Sequence, residues 1–178
     1  MPSVLIIECR DKEDPGSEGR FVEHMLNLMD ITNKYLRAES KAQFIKILSS
    51  IAANADVNHV ATHGRYKKTQ EGKEFKGFCI SDDEDVTIKD IKAANIDLSG
   101  KTVLSTACFS GQKASREAFK EATHCKHYIA PIRDPKFHNA ALMCHIFYHK
   151  HFILKRSVKR AFSEYKGRYY NPHRFRFL

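Results

Sequence analysis

No stretch of the 178-residue chain approaches 18 consecutive apolar residues, which excludes a membrane-spanning helix. The N-terminus, MPSVLIIECR, has no basic segment ahead of its apolar residues, and its apolar stretch is too short for a signal peptide. No Cys-x-x-Cys pair and no His-Glu-x-x-His segment is present, so the usual zinc spacings are missing. Neither Gly-x-Gly-x-x-Gly nor a Walker A sequence occurs, and no nucleotide or other cofactor is expected. Internal repeats, low-complexity tracts and long linkers are absent, so one domain over residues 1–178 is the reading. Cysteine is present, but in the wrong pattern for a disulfide framework. The five cysteines, at positions 9, 79, 108, 125 and 144, are odd in number and scattered, which points to reduced thiols and a cytoplasmic location.

What the chain does have is positive charge, unevenly placed. The formal net charge is +9. From His149 to Leu178 there are nine lysines and arginines against Glu164 alone, so the first 148 residues are nearly neutral. In this region Tyr165, Tyr169, Tyr170, Phe175 and Phe177 interleave with the basic residues. Three readings are open: a nucleic-acid surface, a docking surface for an acidic partner, and a solvated helix face whose aromatics close the core. Nucleic acid is the lesser of them.

Apolar and polar stretches alternate in units of strand and helix length. Ser3 to Glu8, SVLIIE, is a continuous apolar run suited to a sheet covered on both faces. Asp11 to Arg20 is charged around Pro15-Gly16 and reads as a loop. Helical spacing follows over Phe21 to Asp30, then a short edge strand at Lys34 to Ala38. The next helix is capped by Ser40 and carries Phe44, Ile47, Leu48 and Ile51 on one face. Asn58 to His63 is another apolar strand. Arg65 to Lys76 is polar and reads as a mobile wall of a cleft. Gly77 to Ile80 and Asp85 to Ile88 flank a turn and form a hairpin. After a short helix at Lys89 to Ala94 come a strand at Thr102 to Thr106, a helix at 112–122 and a strand at His127 to Ile132. A long helix then runs from Pro135 to about His151, and a further one from Leu154 to Tyr165. RYYNPHRFRFL is either a final strand or a frayed tail. Strands alternating with helices predict an α/β fold: a mostly parallel sheet with helices on both faces.

Two strand ends carry chemistry. Thr102 to Thr106 leads into Ala107-Cys108, followed by Ser110-Gly111 and a helix. A thiol at the carboxyl end of a buried strand lies where open α/β sheets bind ligands. It is also expected to face the positive end of a helix dipole, which favours the thiolate. The strand from Asn58 ends in His63-Gly64. If the two strands are parallel neighbours, the imidazole and the thiol emerge side by side. That pair suits acyl transfer to cysteine: a sulfur nucleophile, a proton donor for the leaving amine, and the backbone N–H groups of Gly64 and Cys108 for the oxyanion. Glycine after the histidine lets backbone approach closely.

His63-Gly64 and Ala107-Cys108-x-Ser110-Gly111, 45 residues apart, resemble the caspase-like cysteine peptidases, whose histidine lies about 50 residues before the cysteine. The chain looks closest to the bacterial CHAT-type branch, with kinship to metacaspases and separase. Thr106 stands where caspases have glutamine, and the loop after the cysteine is one residue longer. The resemblance covers about residues 1–150. It implies a three-layer caspase-like fold, a His63–Cys108 dyad, a peptide or protein substrate bound along the strand ends, and no metal in the chemistry. It does not fix the pocket for the side chain before the cut. Asp134, Arg133 and Asp82 are candidates, with Asp83 and Asp85 as alternatives. An aspartate would select lysine or arginine, and an arginine would select acidic residues. With no regulatory module in the sequence, control by a partner protein or by cleavage in a loop such as 65–76 is expected. The competing expectation is an inactive caspase-like module that uses the basic end for binding. Cys9, Cys79, Cys125 and Cys144 read as core residues, and His145 and His149 as solvated rather than zinc-binding.

Overall fold

The first apolar run forms β1, Val4–Glu8, with all five residues buried. The structure, a computed structural model, describes residues 3–9, 17–70, 72–168 and 175–178. Ser17 caps α1, Glu18–Leu28, its hydroxyl accepting the Arg20 N–H. Helix therefore begins inside the segment read as a loop, of which residues 11–16 lie outside the described residues. The chain returns through β2, Asn33–Arg37, and Ser40 caps α2, Lys41–Ser50, as its position before an amphipathic stretch predicts. β3, Val57–Ala61, is buried along its whole length.

The polar segment after His63 is not a mobile loop. It forms β4, Gly64–Thr69, paired antiparallel with β5, Gly72–Cys79. Its polar residues face water while Phe75 and Phe78 reach into the core, and an ion pair between Lys67 and Glu74 at 2.9 Å spans the exposed ladder. β5 pairs in turn with β6, Asp85–Val86, the expected hairpin. Then follow α3, Ile88–Ala93, closed by a reciprocal Thr87–Asp90 capping box; β7, Thr102–Ser105; α4, Lys113–Thr123; and β8, His127–Pro131. The long helix, α5, covers Phe137–Tyr148 and passes into a π-helical turn at His149–Ile153 instead of running on as one α-helix. α6 is Val158–Arg168, starting after the Lys155 turn rather than at Leu154. Of the aromatic C-terminal stretch, residues 169–174 lie outside the described residues, and Phe175–Phe177 forms β9.

The main sheet has the order β2-β1-β3-β7-β8-β9, parallel except for β9, which lies antiparallel to β8. Alternate residues of the strands face opposite layers, as a pleat requires. Leu5, Ile7, Val60, Val103 and Tyr128 pack with α2, α3 and α4. Val4, Ile6, Val57, Leu104 and Ile129 pack with α1, α5 and α6. The result is a three-layer α/β fold with helices on both faces. The first layer is joined by a run of rings from four elements: Phe44–Phe78 and Phe78–Phe119 at 5.9 Å between centroids, and Phe119–Tyr128 stacked at 4.5 Å. Each buried phenylalanine contributes about 1.5–3 kcal/mol through area removed from water, so Phe78 anchors the small sheet to the large one. Among the described residues no helix is long and apolar enough to cross a membrane.

Among the buried polar residues one is an imidazole. His59, in the middle of β3, is fully buried, and its Nδ1 lies 2.8 Å from the Tyr148 hydroxyl. Burial alone pushes its pKa down to about 3. Between that value and its ordinary 6.5 the unfolded chain binds a proton that the folded chain does not, so stability rises with pH across the window. Urea titrations of the wild type are therefore expected to lose stability as pH falls from 6.5 towards 4, by up to about 1.4 kcal/mol per pH unit from this group. His59→Gln should flatten that slope. An unchanged slope would assign the acid sensitivity to other groups.

Candidate active site

The chain turns to one side from β1 to β2 and to the other from β3 onwards, so the order of the sheet reverses between β1 and β3. Side chains at the carboxyl ends of strands flanking such a reversal surround a natural crevice. A cleft of about 110 Å³ opens there. Its walls come from the end of β1 (Glu8, Cys9), the end of β3 (Thr62, His63), the end of β7 (Thr106, Cys108) and the starts of α1 and α5 (Glu18, Phe137). β3 and β7 are parallel neighbours, and His63 and Cys108 line the same cleft.

Gly64 fixes how close the two strand ends come. A β-carbon at this position would stand 2.0 Å from the Cys108 carbonyl oxygen and 2.8 Å from its nitrogen, so no other residue fits without moving the cysteine backbone. The Cys79 N–H donates to the His63 carbonyl at 2.9 Å and sets the backbone on the other side. The backbone N–H groups of Gly64 and of Cys108 itself favour negative charge on the sulfur. The sequence-predicted oxyanion donors are thus grouped around the thiol.

The turn carrying Cys108 is braced from within. Phe109 has a φ of 65°, unusual for a bulky residue. Ser110 donates to the Ala107 carbonyl at 2.7 Å, and the Ser105 hydroxyl, which accepts the Ala107 N–H, lies 3.2 Å from that of Ser110. Two further bonds tie the turn to the end of β8: Phe109 N–H to the Arg133 carbonyl at 3.2 Å, and Gly111 N–H to the Pro131 carbonyl at 2.8 Å. A β-carbon on Gly111 would meet the Ala130 carbonyl oxygen at 2.2 Å.

Those two bonds bring Asp134 to the Cys108 thiol. The Cys108 thiol donates to Asp134 Oδ1 at 3.1 Å. Burial first, then this carboxylate, push the thiol pKa up to about 12, against the opposing pull of the two N–H groups. The expectation of a dipole-favoured thiolate is therefore corrected: α4 begins only at Lys113, too far along the chain for its N-terminus to offset burial and an adjacent negative charge. Arg133 is exposed and contributes its carbonyl to the turn, and its side chain does not line the cleft. Asp82 sits on the β5–β6 turn, where its carbonyl accepts from Arg65 at 2.7 Å. Asp85 pairs with Arg65 at 2.9 Å, and neither aspartate lines the cleft.

Glu8 and Glu18 were missed in the sequence. Glu8 left a signal, since it ends an otherwise apolar strand at the edge where ligands bind. Glu18 left none, lying in a charged stretch that reads as a loop. Gln112 was also missed. Its side chain accepts the Phe75 N–H at 3.0 Å and donates to the Lys73 carbonyl at 2.7 Å, tying the cysteine turn to the hairpin.

Removing the Asp134 charge should release the thiol. In Asp134→Asn the pH at which Cys108 is half ionised is expected to fall, read from the pH dependence of its iodoacetamide alkylation by peptide mass spectrometry. An unmoved profile would show that burial alone sets the shift.

No protein-family model matches the chain, and no curated protein matches it in sequence. Among solved structures it is similar to the Drosophila initiator caspase Dronc, with a TM-score of 0.50 and 11% identity over 98% of this chain and 78% of that one. Flavodoxin 2 from Bacillus cereus matches with a TM-score of 0.41 and 14% identity, covering 91% of this chain and 98% of that one. The sheet order, the layers and the likeness to Dronc together give the chain a caspase-like fold.

Proposed function

We propose that the protein is a cysteine endopeptidase acting through His63 and Cys108. The observation that carries this reading is that His63 and Cys108 line one cleft while the Gly64 backbone packs directly against that of Cys108, so that the N–H groups of both favour an anion at the sulfur. In the reaction Cys108 sulfur attacks the scissile carbonyl and its proton passes to His63. The two N–H groups hold the developing oxyanion. His63 then protonates the leaving amine, and in the second half it takes a proton from the water that hydrolyses the thioester. The narrower kinship with CHAT-type, metacaspase and separase domains belongs to this proposal and rests on His63-Gly64 and Ala107-Cys108-x-Ser110-Gly111. So do the single-domain reading and a cytoplasmic location, which five free thiols fit.

The contact between Cys108 and Asp134 describes a resting site, because the thiol must surrender its proton to His63 rather than share it with a carboxylate. A regulatory partner that draws the segment after β8 away from Cys108 would supply the switch. The same contact favours a second reading, a caspase-like module whose chemistry is off and whose basic end binds nucleic acid or an acidic protein. That end is less available than its composition suggests, since Lys150, Arg160 and Arg156 converge on Glu164 at 2.8, 2.9 and 3.8 Å.

Peptide-library cleavage separates the readings. Activity is expected to vanish in both Cys108→Ala and His63→Ala. Stability to urea should stay within about 0.5 kcal/mol for the exposed histidine. Cleavage that survives Cys108→Ala would remove the proposal. If a thiol-selective electrophile finds Cys108 no more reactive than Cys9, Cys79, Cys125 and Cys144, the binding-module reading gains.

A further inference from the structure

We propose that Lys73, on the inner face of the β4–β5 hairpin, is a positioning residue that draws the Asp134 carboxylate off the Cys108 thiol when the site acts. The inference rests on reading Cys108 and His63 as a peptidase pair, and it names a cation within the chain for the switch that this reading requires.

The hairpin carries unpaired positive charge on the side that meets the cysteine turn. Its register sets Tyr66 opposite Phe75, Lys67 opposite Glu74 and Lys68 opposite Lys73. Alternate residues of a strand point to opposite faces. Phe75 is buried in the core, and the Tyr66 ring lies against that of Phe109 with centroids 5.3 Å apart, so Lys68 and Lys73 share the inner face with them. The outer face has an ordinary pair, Lys67 with Glu74 at 2.9 Å. The inner face instead sets two lysines directly opposite each other, an arrangement that costs stability. An anion on the facing turn accounts for it.

Lys73 is held at that turn. Its ammonium stands over two rings, 4.1 Å from the Tyr66 centroid and 5.5 Å from that of Phe109. Its backbone is pinned by Gln112, whose side chain donates to the Lys73 carbonyl at 2.7 Å and accepts the Phe75 N–H at 3.0 Å. Phe109 follows Cys108 in the chain, and its N–H bonds the carbonyl of Arg133, the residue before Asp134, at 3.2 Å. The ring under the ammonium thus belongs to the residue that joins the two partners of the thiol–carboxylate contact. In keeping with that place, the charges of Asp134 and Cys108 help to raise the Lys73 pKa, after the larger effect of Tyr66. Among the described residues Asp134 makes no ion pair, although Arg133 and Lys136 flank it in sequence; its carboxylate accepts from the thiol at 3.1 Å. A cation–π contact at an exposed site is weak, and lysine's four-carbon stem is flexible, so the ammonium can leave the rings for the carboxylate without backbone movement. The thiol then loses both the acceptor that holds its proton and the charge that opposes ionisation, and the proton passes to His63.

The test is the rate of iodoacetamide alkylation of Cys108 at about pH 8 in the full chain, followed by peptide mass spectrometry. Lys73→Met is expected to slow it about threefold, the half pH unit that one exposed charge partner is worth. Lys73→Arg should keep the wild-type rate. In an Asp134→Asn background Lys73→Met should change the rate by less than about 1.5-fold, because the carboxylate it acts on is gone. Equal rates for wild type and Lys73→Met, a Lys73→Arg rate as slow as that of Lys73→Met, or a threefold slowing that persists in Asp134→Asn would overturn the inference. The peptidase reading is judged separately, by peptide-library cleavage. Where cleavage is found, Lys73→Met should lower kcat by about the same threefold and leave KM within about twofold, since Lys73 does not line the cleft; an effect on KM alone would overturn the positioning role. Absence of cleavage with the alkylation pattern as expected would sink the peptidase reading and keep the coupling of Lys73 to Asp134.

Discussion

The closeness of two backbones organises the site. At Gly64 and Cys108 the ends of neighbouring parallel strands touch without any side chain between them, and at Gly111 and Ala130 the next pair does the same. Parallel strands hold their ends in register, but ordinary side chains would keep the loops beyond them apart. Two glycines remove that spacing. The thiol, the imidazole and the N–H donors are consequently assembled by main chain, which is set once the sheet forms. The side chains of His63 and Cys108 need only leave that frame in the right direction.

The electrostatics of the frame pull in two directions. Two N–H dipoles favour the anion at sulfur, as a site built to stabilise negative charge must. Burial and the Asp134 carboxylate oppose it and prevail, leaving a protonated thiol as the resting state. A buried thiol with a carboxylate against it is poorly suited to ionise unaided.

Much of this was legible in the sequence because burial on both faces leaves long apolar runs. SVLIIE, the run into His63 and the run into Cys108 each end with the residue that matters, and strand adjacency followed from their alternation with helices. Three features were hidden. The β4–β5 hairpin is a solvated ladder, so its polar residues look like a loop, and its apolar hold on the core comes from a few residues such as Phe75 and Phe78. Asp134 was suspected of lining a pocket, but its contact with the thiol depends on Phe109 and Gly111 bonding to carbonyls beyond β8, and composition does not encode such bonds. The sign of the thiol shift was missed for the same reason: helix polarity can be read from a sequence, whereas the burial that overrides it cannot.

Gln112 gives the outer hairpin a role its exposure conceals. Its amide bridges Phe75 and Lys73 much as another strand residue would, while its backbone N–H bonds the Phe109 carbonyl within the cysteine turn. The hairpin is thus a lever arm, hinged on the core and pinned by the Gln112 side chain to the turn that holds Cys108. A load placed on its solvent face, far from the cleft, would be felt at Cys108 as torque.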